Sequence, residues 1–161
     1  MGILRSSLFL TLALALRAQS VAFSFDDGFD PRTQPQAATW NEALLRTLAA
    51  AKVKALLLPA GKRVDSPAGL ALVRAWGEAG HAIGNHTYSH ASLGARGVDL
   101  VAFDTDVQRN EELLDALPGW TKRFRFPYLK EGGTAAVRDG FRAWMEARGY
   151  RPASVSIDAS D

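Results

Sequence analysis

The chain of 161 residues contains no cysteine and only three histidines. The absence of cysteine excludes disulfides, thiolate zinc sites and cysteine nucleophiles, so any metal must be bound by nitrogen and oxygen ligands. The longest apolar run is also far shorter than the about 20 residues that span a bilayer, so stable membrane insertion is not expected. All three histidines lie between residues 81 and 90, and this clustering is the first indication of a functional site.

The chain has no strong excess of either charge. It contains 19 basic and 17 acidic residues, and the two basic residues Arg5 and Arg17 near the start account for the difference. The remainder is neutral, which argues against nucleic acid or an anionic membrane surface as a partner. With 47% hydrophobic residues, the composition is that of one globular domain with a substantial core.

The first twenty residues, MGILRSSLFLTLALALRAQS, differ in character from the rest. A basic start is followed by the apolar run Leu8 to Leu16 and by small residues near Ala18. This pattern predicts a secretory signal peptide over residues 1–18, and hence a secreted or periplasmic protein whose folded domain covers 19–161. The alternative is a buried first strand or helix.

Short apolar runs alternate with segments of helical period from Val21 onward. Strands are predicted at 21–25, 53–58, 81–85, 122–126 and 153–157, and helices at 38–51, from Ser66 to Gly80, at 98–117 and from Thr134 to Gly149. This alternation predicts an α/β fold with parallel strands, either an open sheet or a barrel. The sequence ends just after a strand, so we expect it to be the front part of a longer protein.

Polar residues that can bind a metal or take part in catalysis follow the predicted strands. They are Asp26 and Asp27 after the first strand, His86 and His90 after the third, Arg125 to Tyr128 at the end of the fourth, and Asp158 after the fifth. The carboxyl ends of parallel strands share one edge, where the sites of α/β proteins are built. We therefore expect these residues to meet, although they are far apart in the sequence.

The two histidines of NHTYSH, His86 and His90, are four residues apart. This spacing places both rings on one face of a helical turn or of an extended segment, where they can chelate one ion. Two histidines, a carboxylate and an open position form a typical catalytic zinc shell. The alternative is a pair of surface histidines on a loop. His81, at the start of a strand, is expected to be structural.

Two adjacent carboxylates, Asp26 and Asp27, precede Gly28. They repel each other unless a positive charge lies nearby. One interpretation gives them separate tasks, in which one binds a cation and the other takes a proton from an attacking water. The alternative is an ordinary Asp-Gly turn. Asp30, before Pro31, is expected to be a turn residue.

Arg125 is a candidate partner for the aspartate that is not a metal ligand. A guanidinium group recognises a carboxylate through a fixed fork of N–H donors, and Pro127 would make the following turn rigid. Arg123 lies one strand period away, so spacing alone does not decide between the two arginines. An ordinary surface arginine is the alternative.

Three motifs together resemble the polysaccharide deacetylases, carbohydrate esterase family 4. They are FSFDDG at 23–28, NHTYSH at 85–90 and RFPY at 125–128, and their order and spacing also fit. DASD at 158–161 is similar to the start of the fourth motif. The resemblance implies a distorted (β/α) barrel, smaller than an eight-unit barrel. It also implies a divalent metal, usually zinc, and removal of acetyl groups from N- or O-acetylated polysaccharide or oligosaccharide.

The resemblance also implies a role for each motif residue. Asp27, His86 and His90 correspond to the metal ligands. Asp26 corresponds to the general base, and Arg125 to the residue that orients it. Because the ligands are nitrogen and oxygen, cobalt and nickel would also be accepted.

Two further residues take roles from the resemblance. Tyr128 corresponds to the residue whose backbone N–H helps to bind the oxyanion. Asp161 corresponds to the residue that tunes a histidine of the fifth motif, which would follow the present C-terminus. We therefore expect low activity from the 161-residue chain by itself.

Two other functions are compatible with the same residues. One is hydrolysis of non-sugar amides or imides on the same fold, against which the predicted signal peptide argues. The other is a metal-binding or glycan-binding pseudoenzyme. The motifs do not specify which acetylated glycan or which metal is used.

Overall fold

The computed structural model describes residues 21–158. These residues form one sheet of five strands, all parallel, in the spatial order β1-β2-β3-β4-β5. The predicted α/β fold with parallel strands is confirmed. The predicted signal peptide over 1–18 and the predicted site residue Asp161 both lie outside the described residues.

Helices and strands alternate along the chain. The strands are β1 (Phe23–Asp27), β2 (Ala55–Pro59), β3 (Ala82–Asn85), β4 (Trp120–Phe124) and β5 (Arg151–Pro152). The α-helices are α1 (Ala37–Ala50), α2 (Gly61–Val64), α3 (Pro67–Glu78), α4 (Leu100–Leu114) and α5 (Ala135–Ala147), and a short 3-10 helix covers Pro127–Leu129. Within residues 21–158, none of the helices has the length and apolar character needed to cross a membrane.

Two apolar clusters pack the helices against the sheet. The first joins α1, α3 and the end of α4 to β2 and β3, and it contains the buried Trp76. The second joins α4, α5 and β4 through Phe103, Phe124 and Phe141, whose ring centroids lie 4.9 to 6.1 Å apart. Aromatic pairs at such separations contribute about 0.5–1.5 kcal/mol each beyond the area they bury. This packing fixes the strands, and with them the carboxyl edge of the sheet.

Side-chain caps begin three of the helices. The hydroxyls of Ser66 and Thr134 accept hydrogen bonds from backbone N–H groups at 3.0 and 3.3 Å, as their positions in the sequence predict. Asp99 caps α4 in the same way, at 2.8 Å from the N–H of Ala102. Such caps satisfy backbone donors that have no partner inside the helix.

The predicted position of the fifth strand, 153–157, is wrong. β5 consists of Arg151–Pro152, which pair with Arg123 and Phe124 of β4. The apolar alternation over 153–157 suggested a strand, but these residues form none. Proline is accepted here because β5 is an edge strand in the described sheet, where one side needs no N–H donor.

Asn85, the last residue of β3, is fully buried and satisfies its whole side-chain amide. Its Nδ2 donates to the carbonyl of Val107 and to the hydroxyl of Tyr150, both at 2.9 Å. Its Oδ1 accepts from the N–H of Thr87 at 2.9 Å and from Nδ2 of Asn110 at 3.0 Å. The amide therefore ties β3 to α4 and to the loop that carries His86 and His90.

Replacement of Asn85 by leucine is expected to lower the free energy of unfolding by about 4 kcal/mol. Four buried polar groups would each lose one hydrogen bond, and a buried hydrogen bond contributes about 0.5–1.5 kcal/mol. Urea unfolding monitored by circular dichroism measures the loss. The control Thr105→Val, on an exposed position of α4, is expected to change stability by less than about 0.5 kcal/mol. An Asn85→Leu midpoint equal to that of the control would refute this account.

His81 is structural, as its position at the start of a strand predicts. It is 3% exposed, and its Nδ1 accepts a hydrogen bond from the backbone N–H of Ala55 at 3.1 Å. Its ring packs on Trp76, with the centroids 5.2 Å apart. Burial, aided by the charge of Lys54, lowers the pKa of His81 below its usual value. The neutral ring is therefore the form that fits the fold.

We expect His81 to make the protein less stable in acid. Because its pKa is lower in the folded than in the unfolded state, its contribution is complete above the unfolded pKa of about 6.5 and declines as the pH falls below it. His81→Leu is expected to cost about 1–3 kcal/mol at pH 7.5, because the Ala55 N–H loses its acceptor. The variant should also lose less stability than wild type between pH 7.5 and 5.5. Urea unfolding at both pH values measures this, and equal pH dependence in the two proteins would contradict it.

Candidate metal centre

The first part of the site is the end of β1. Asp26 and Asp27 are its last two residues, and Asp27 has a left-handed backbone with φ of 70°. Consecutive side chains of a regular strand point to opposite faces, so the left-handed turn at Asp27 breaks that alternation. Gly28, with φ of 77°, continues the turn, and Ala60 N–H donates to the Asp27 carbonyl at 3.1 Å. Both carboxylates are thereby presented at the same edge.

The second part is the loop after β3. His86 to His90 form neither a helix nor a strand, and Thr87 and His90 have left-handed φ values of 64° and 60°. The hydroxyl of Thr87 accepts from the N–H of His90 at 3.0 Å, and the carboxylate of Asp106 accepts from the N–H of Ser89 at 3.0 and 3.1 Å. These bonds fold the loop back, so that both histidine rings face β1.

Asp27, His86 and His90 meet at the carboxyl edge of the sheet. Nε2 of His90 lies 3.2 Å from Nε2 of His86 and 3.3 Å from Oδ1 of Asp27. Nε2 of His86 lies 3.8 Å from the same oxygen. The predicted convergence of residues from β1 and from the loop after β3 is therefore observed.

Three properties of this cluster suit a bound cation. Nδ1 of His86 lies 2.9 Å from the carbonyl oxygen of Arg125, which can only accept, so the proton is on Nδ1 and the lone pair of Nε2 faces the cluster. Oδ1 of Asp27 is buried and has no hydrogen-bond partner within the described residues. Zinc–ligand bonds of about 2.0–2.2 Å in a tetrahedral shell imply ligand separations of about 3.3–3.6 Å, close to those of the cluster. The residues present thus fit a divalent metal.

Burial favours the neutral form of the His86 ring. The side chain is almost completely buried, and burial lowers the pKa of His86, although the carboxylate of Asp26 opposes the shift. A neutral imidazole is the form that offers a lone pair to a metal.

Arg125, rather than Arg123, lies in the site. Its Nη1 donates to Oδ1 of Asp26 at 2.6 Å, and its Nη2 donates to the hydroxyl of Ser24 at 2.8 Å. Its Nε donates to the carbonyl of Ala153 at 2.9 Å, and the side chain is 6% exposed. Arg123 is exposed. The buried guanidinium therefore holds Asp26 in one orientation beside the cluster.

Tyr128 and Asp158 complete the predicted set as far as the structure describes it. Tyr128 has a left-handed backbone, with φ of 58°, and its exposed ring packs edge-on against His90 with centroids 4.7 Å apart. The oxyanion role of its backbone N–H stays a prediction. Asp158 follows β5 and is exposed, and Asp161 lies outside the described residues.

A sequence model of the polysaccharide deacetylase family matches residues 14–151, most of the chain and all three motifs. The chain belongs to the polysaccharide deacetylase family. The match covers strands β1 to β4 and the three residues of the cluster.

Individual deacetylases agree with the family assignment. A peptidoglycan-N-acetylglucosamine deacetylase of Bacillus cereus is 28% identical over 141 residues, which are 88% of this chain and 46% of that protein. A crystal structure of a peptidoglycan N-acetylglucosamine deacetylase in complex with 4-naphthalen-1-yl-N-oxidanyl-benzamide aligns with a TM-score of 0.63 and 26% identity, over 81% of this chain and 54% of that one.

A third relative is a family 4 acetyl xylan esterase from Clostridium thermocellum, solved with a cobalt ion. It aligns with a TM-score of 0.55 and 28% identity, over 68% of this chain and 49% of that one. This chain spans about half the length of the relatives it matches.

Several residues of the site were not predicted from the sequence. Arg63 of α2 places Nη2 3.3 Å from Oδ2 of Asp27, and Ser24, Thr87 and Asp106 position the predicted residues through the hydrogen bonds described above. Ser24 lies two residues before Asp26, on the same face of β1, so strand alternation would have indicated it. No pattern in the sequence indicates Arg63 or Asp106, because their partners are distant along the chain.

Proposed function

We propose that this polysaccharide deacetylase family member is a metal-dependent hydrolase that removes acetyl groups from N- or O-acetylated carbohydrate. The observation that carries the proposal is the cluster of Asp27, His86 and His90 beside the Asp26–Arg125 pair. A divalent metal held there would act as a Lewis acid toward the acetyl carbonyl and make a water more acidic at neutral pH. Zinc suits the mixed nitrogen and oxygen donors, and cobalt and nickel are alternatives.

The residues of the chain have separate tasks in this proposal. Asp27, His86 and His90 hold the metal, and Asp26 accepts the proton of the attacking water as general base. Arg125 orients Asp26 through the 2.6 Å ion pair. The backbone N–H of Tyr128 donates to the oxyanion that develops on the acetyl group.

The relatives support the choice of an acetylated glycan as substrate. They are described as peptidoglycan N-acetylglucosamine deacetylase and as acetyl xylan esterase, so N-acetyl and O-acetyl groups both occur among their substrates. The N-oxidanyl-benzamide bound to one relative is a hydroxamic acid, a chemical class that chelates divalent metals. We further propose a secreted or periplasmic location, supported by the signal-peptide pattern of residues 1–18.

Acetate release from a panel of compounds tests the proposal. The protein is loaded with Zn²⁺ and incubated with N-acetylated chitooligosaccharide, acetylated xylan, peptidoglycan and a cyclic imide. Release of acetate from at least one glycan is expected, at the low rate expected of the 161-residue chain, and a chelator should abolish it. Hydrolysis of the imide alone would favour the non-sugar amidase alternative. Binding of zinc and glycan with no acetate release would favour a pseudoenzyme.

A further inference from the structure

A group of basic side chains lies beside the metal cluster, on α2 and the elements around it. We call it the cationic rim, and it consists of Arg32, Lys62, Arg63 and Arg109. The backbone of α2 is held against the histidine loop, because Gly61 N–H donates to the carbonyl of Thr87 at 3.1 Å. The N–H of Lys62 donates in the same way to the carbonyl of Tyr88 at 2.7 Å. The rim is therefore fixed relative to the site.

Arg63 joins the rim to the site. Its Nη2 lies 3.3 Å from Oδ2 of Asp27, the carboxylate oxygen that does not face the histidines. The Arg63 side chain is 45% exposed, and Asp27 is the one partner of its guanidinium among residues 21–158. A guanidinium in this position is available to a charged group on a bound molecule.

The rest of the rim holds its shape through its own contacts. The guanidinium of Arg32 is held by a fork of two bonds to Asp30, at 2.8 and 3.0 Å, and it also donates to backbone carbonyls of α2. Arg109 stacks over the Tyr88 ring at 3.5 Å, and the Tyr88 hydroxyl donates to Asp65. Asp30 is thus paired with Arg32, whereas the Asp65 carboxylate accepts from the Tyr88 hydroxyl.

Two of the four rim cations, Lys62 and Arg109, have no carboxylate within 4 Å among residues 21–158. Asp27 is the only further carboxylate that contacts a rim cation within 4 Å among residues 21–158, and it is a proposed metal ligand. When a dication shares the charge of Asp27, less of that charge remains to compensate Arg63. A neutral sugar gains little from such a surface, whereas a carboxylate gains charge-assisted hydrogen bonds.

We propose that the cationic rim, with Arg63 as its central residue, binds carboxylate groups of an acidic acetylated glycan and favours it over a neutral one. The inference rests on the proposed function, because it specifies the substrate class of the same site. Guanidinium groups bind carboxylates through two parallel hydrogen bonds, which a lysine cannot reproduce. Arg63 would therefore select substrates whose acidic sugar lies next to the acetylated one.

Binding of two length-matched oligosaccharides tests the inference. One is a neutral N-acetylglucosamine tetramer, and the other alternates N-acetylglucosamine with glucuronate. Dissociation constants are measured by calorimetry on Co²⁺-loaded protein carrying Asp26→Asn, which slows turnover. We expect the acidic tetramer to bind about fivefold more tightly, as for one exposed charge pair, and 0.5 M salt to remove the difference.

Three substitutions in that protein locate the effect. Arg63→Ala is expected to remove the preference for the acidic tetramer, and Arg63→Lys to retain part of it. Lys52→Ala is the matched control, since this exposed lysine precedes β2 at the opposite edge of the sheet. It removes the same charge and should leave the preference unchanged.

Specific outcomes would overturn the inference. Equal affinity of the protein with Arg63 intact for both tetramers would do so. An equal loss of affinity for both tetramers in Arg63→Ala would also do so, because it would mean that Arg63 only positions Asp27. Failure of the proposed function is recognised separately, by absence of acetate release while the acidic preference persists. Acetate release from neutral glycans with no acidic preference would overturn the inference alone.

Discussion

Replacement of His86 by alanine is expected to reduce bound divalent metal from about one ion per chain to a trace. Zinc sites in proteins gain about 10–16 kcal/mol from about four ligands, so one ligand contributes about 3–4 kcal/mol, or a factor of about 100 to 1,000 in affinity. His86 contributes more than its own bond, because its Nδ1–H is fixed by the carbonyl of Arg125 at 2.9 Å. Elemental analysis of the purified proteins, followed by Co²⁺ titration, measures the effect.

The chain offers a matched control for this substitution. His81→Leu removes another imidazole five residues away, in a position where Nδ1 accepts from Ala55 rather than facing the cluster. At pH 7.5 this variant is expected to bind metal as wild type does, although it is less stable. Full metal occupancy in His86→Ala would show that the cluster of Asp27, His86 and His90 is not the metal site.

The convergence of the site could be predicted because the fold class follows from local patterns. Strand and helix alternation is visible in the sequence, and parallel strands place their carboxyl ends together. These two facts predict that Asp26 and Arg125, which are 99 residues apart, lie at one edge of the sheet. The caps at Ser66 and Thr134 were predictable for the same reason, since each depends on residues within one turn of its helix.

The features that the sequence did not reveal depend on contacts between distant segments. α2 is a single turn of four residues, too short for any helical period, and it is held by hydrogen bonds to the histidine loop. The strand pairing of Arg151–Pro152 also depends on the neighbouring strand, which overrides the weak local preference of proline. Arg63 reaches Asp27 only because α2 is placed beside β1.

The left-handed turn at Asp27 is a further feature that motif spacing alone does not predict. A non-glycine residue with φ of 70° is uncommon, and aspartate is among the residues that tolerate it best. Without this turn, the side chains of Asp26 and Asp27 would point to opposite faces of β1. The paired roles proposed for the two carboxylates therefore depend on one backbone conformation.

Replacement of Asp26 by asparagine is expected to lower kcat for acetate release by a factor of about 100 to 10,000, the usual contribution of a general base. Asparagine keeps the shape of the side chain but cannot accept the proton of an attacking water at neutral pH. KM is expected to change little, because the proposed role of Asp26 is confined to the transition state. Acetate release by Zn²⁺-loaded protein, measured over a range of glycan concentrations, separates the two parameters.

Metal content distinguishes this effect from damage to the metal site. Asp26 lies beside the cluster, with Oδ2 3.8 Å from Nε2 of His86, but the buried oxygen that faces both histidines belongs to Asp27. The Asp26→Asn protein is therefore expected to retain about one metal ion per chain, whereas Asp27→Asn is expected to lose it. Asp139→Asn, an exposed position on α5, controls for the loss of one carboxylate. If Asp26→Asn kept its metal and also kept wild-type kcat, the proton would have to be accepted by another group, and the division of labour between the two aspartates would be wrong.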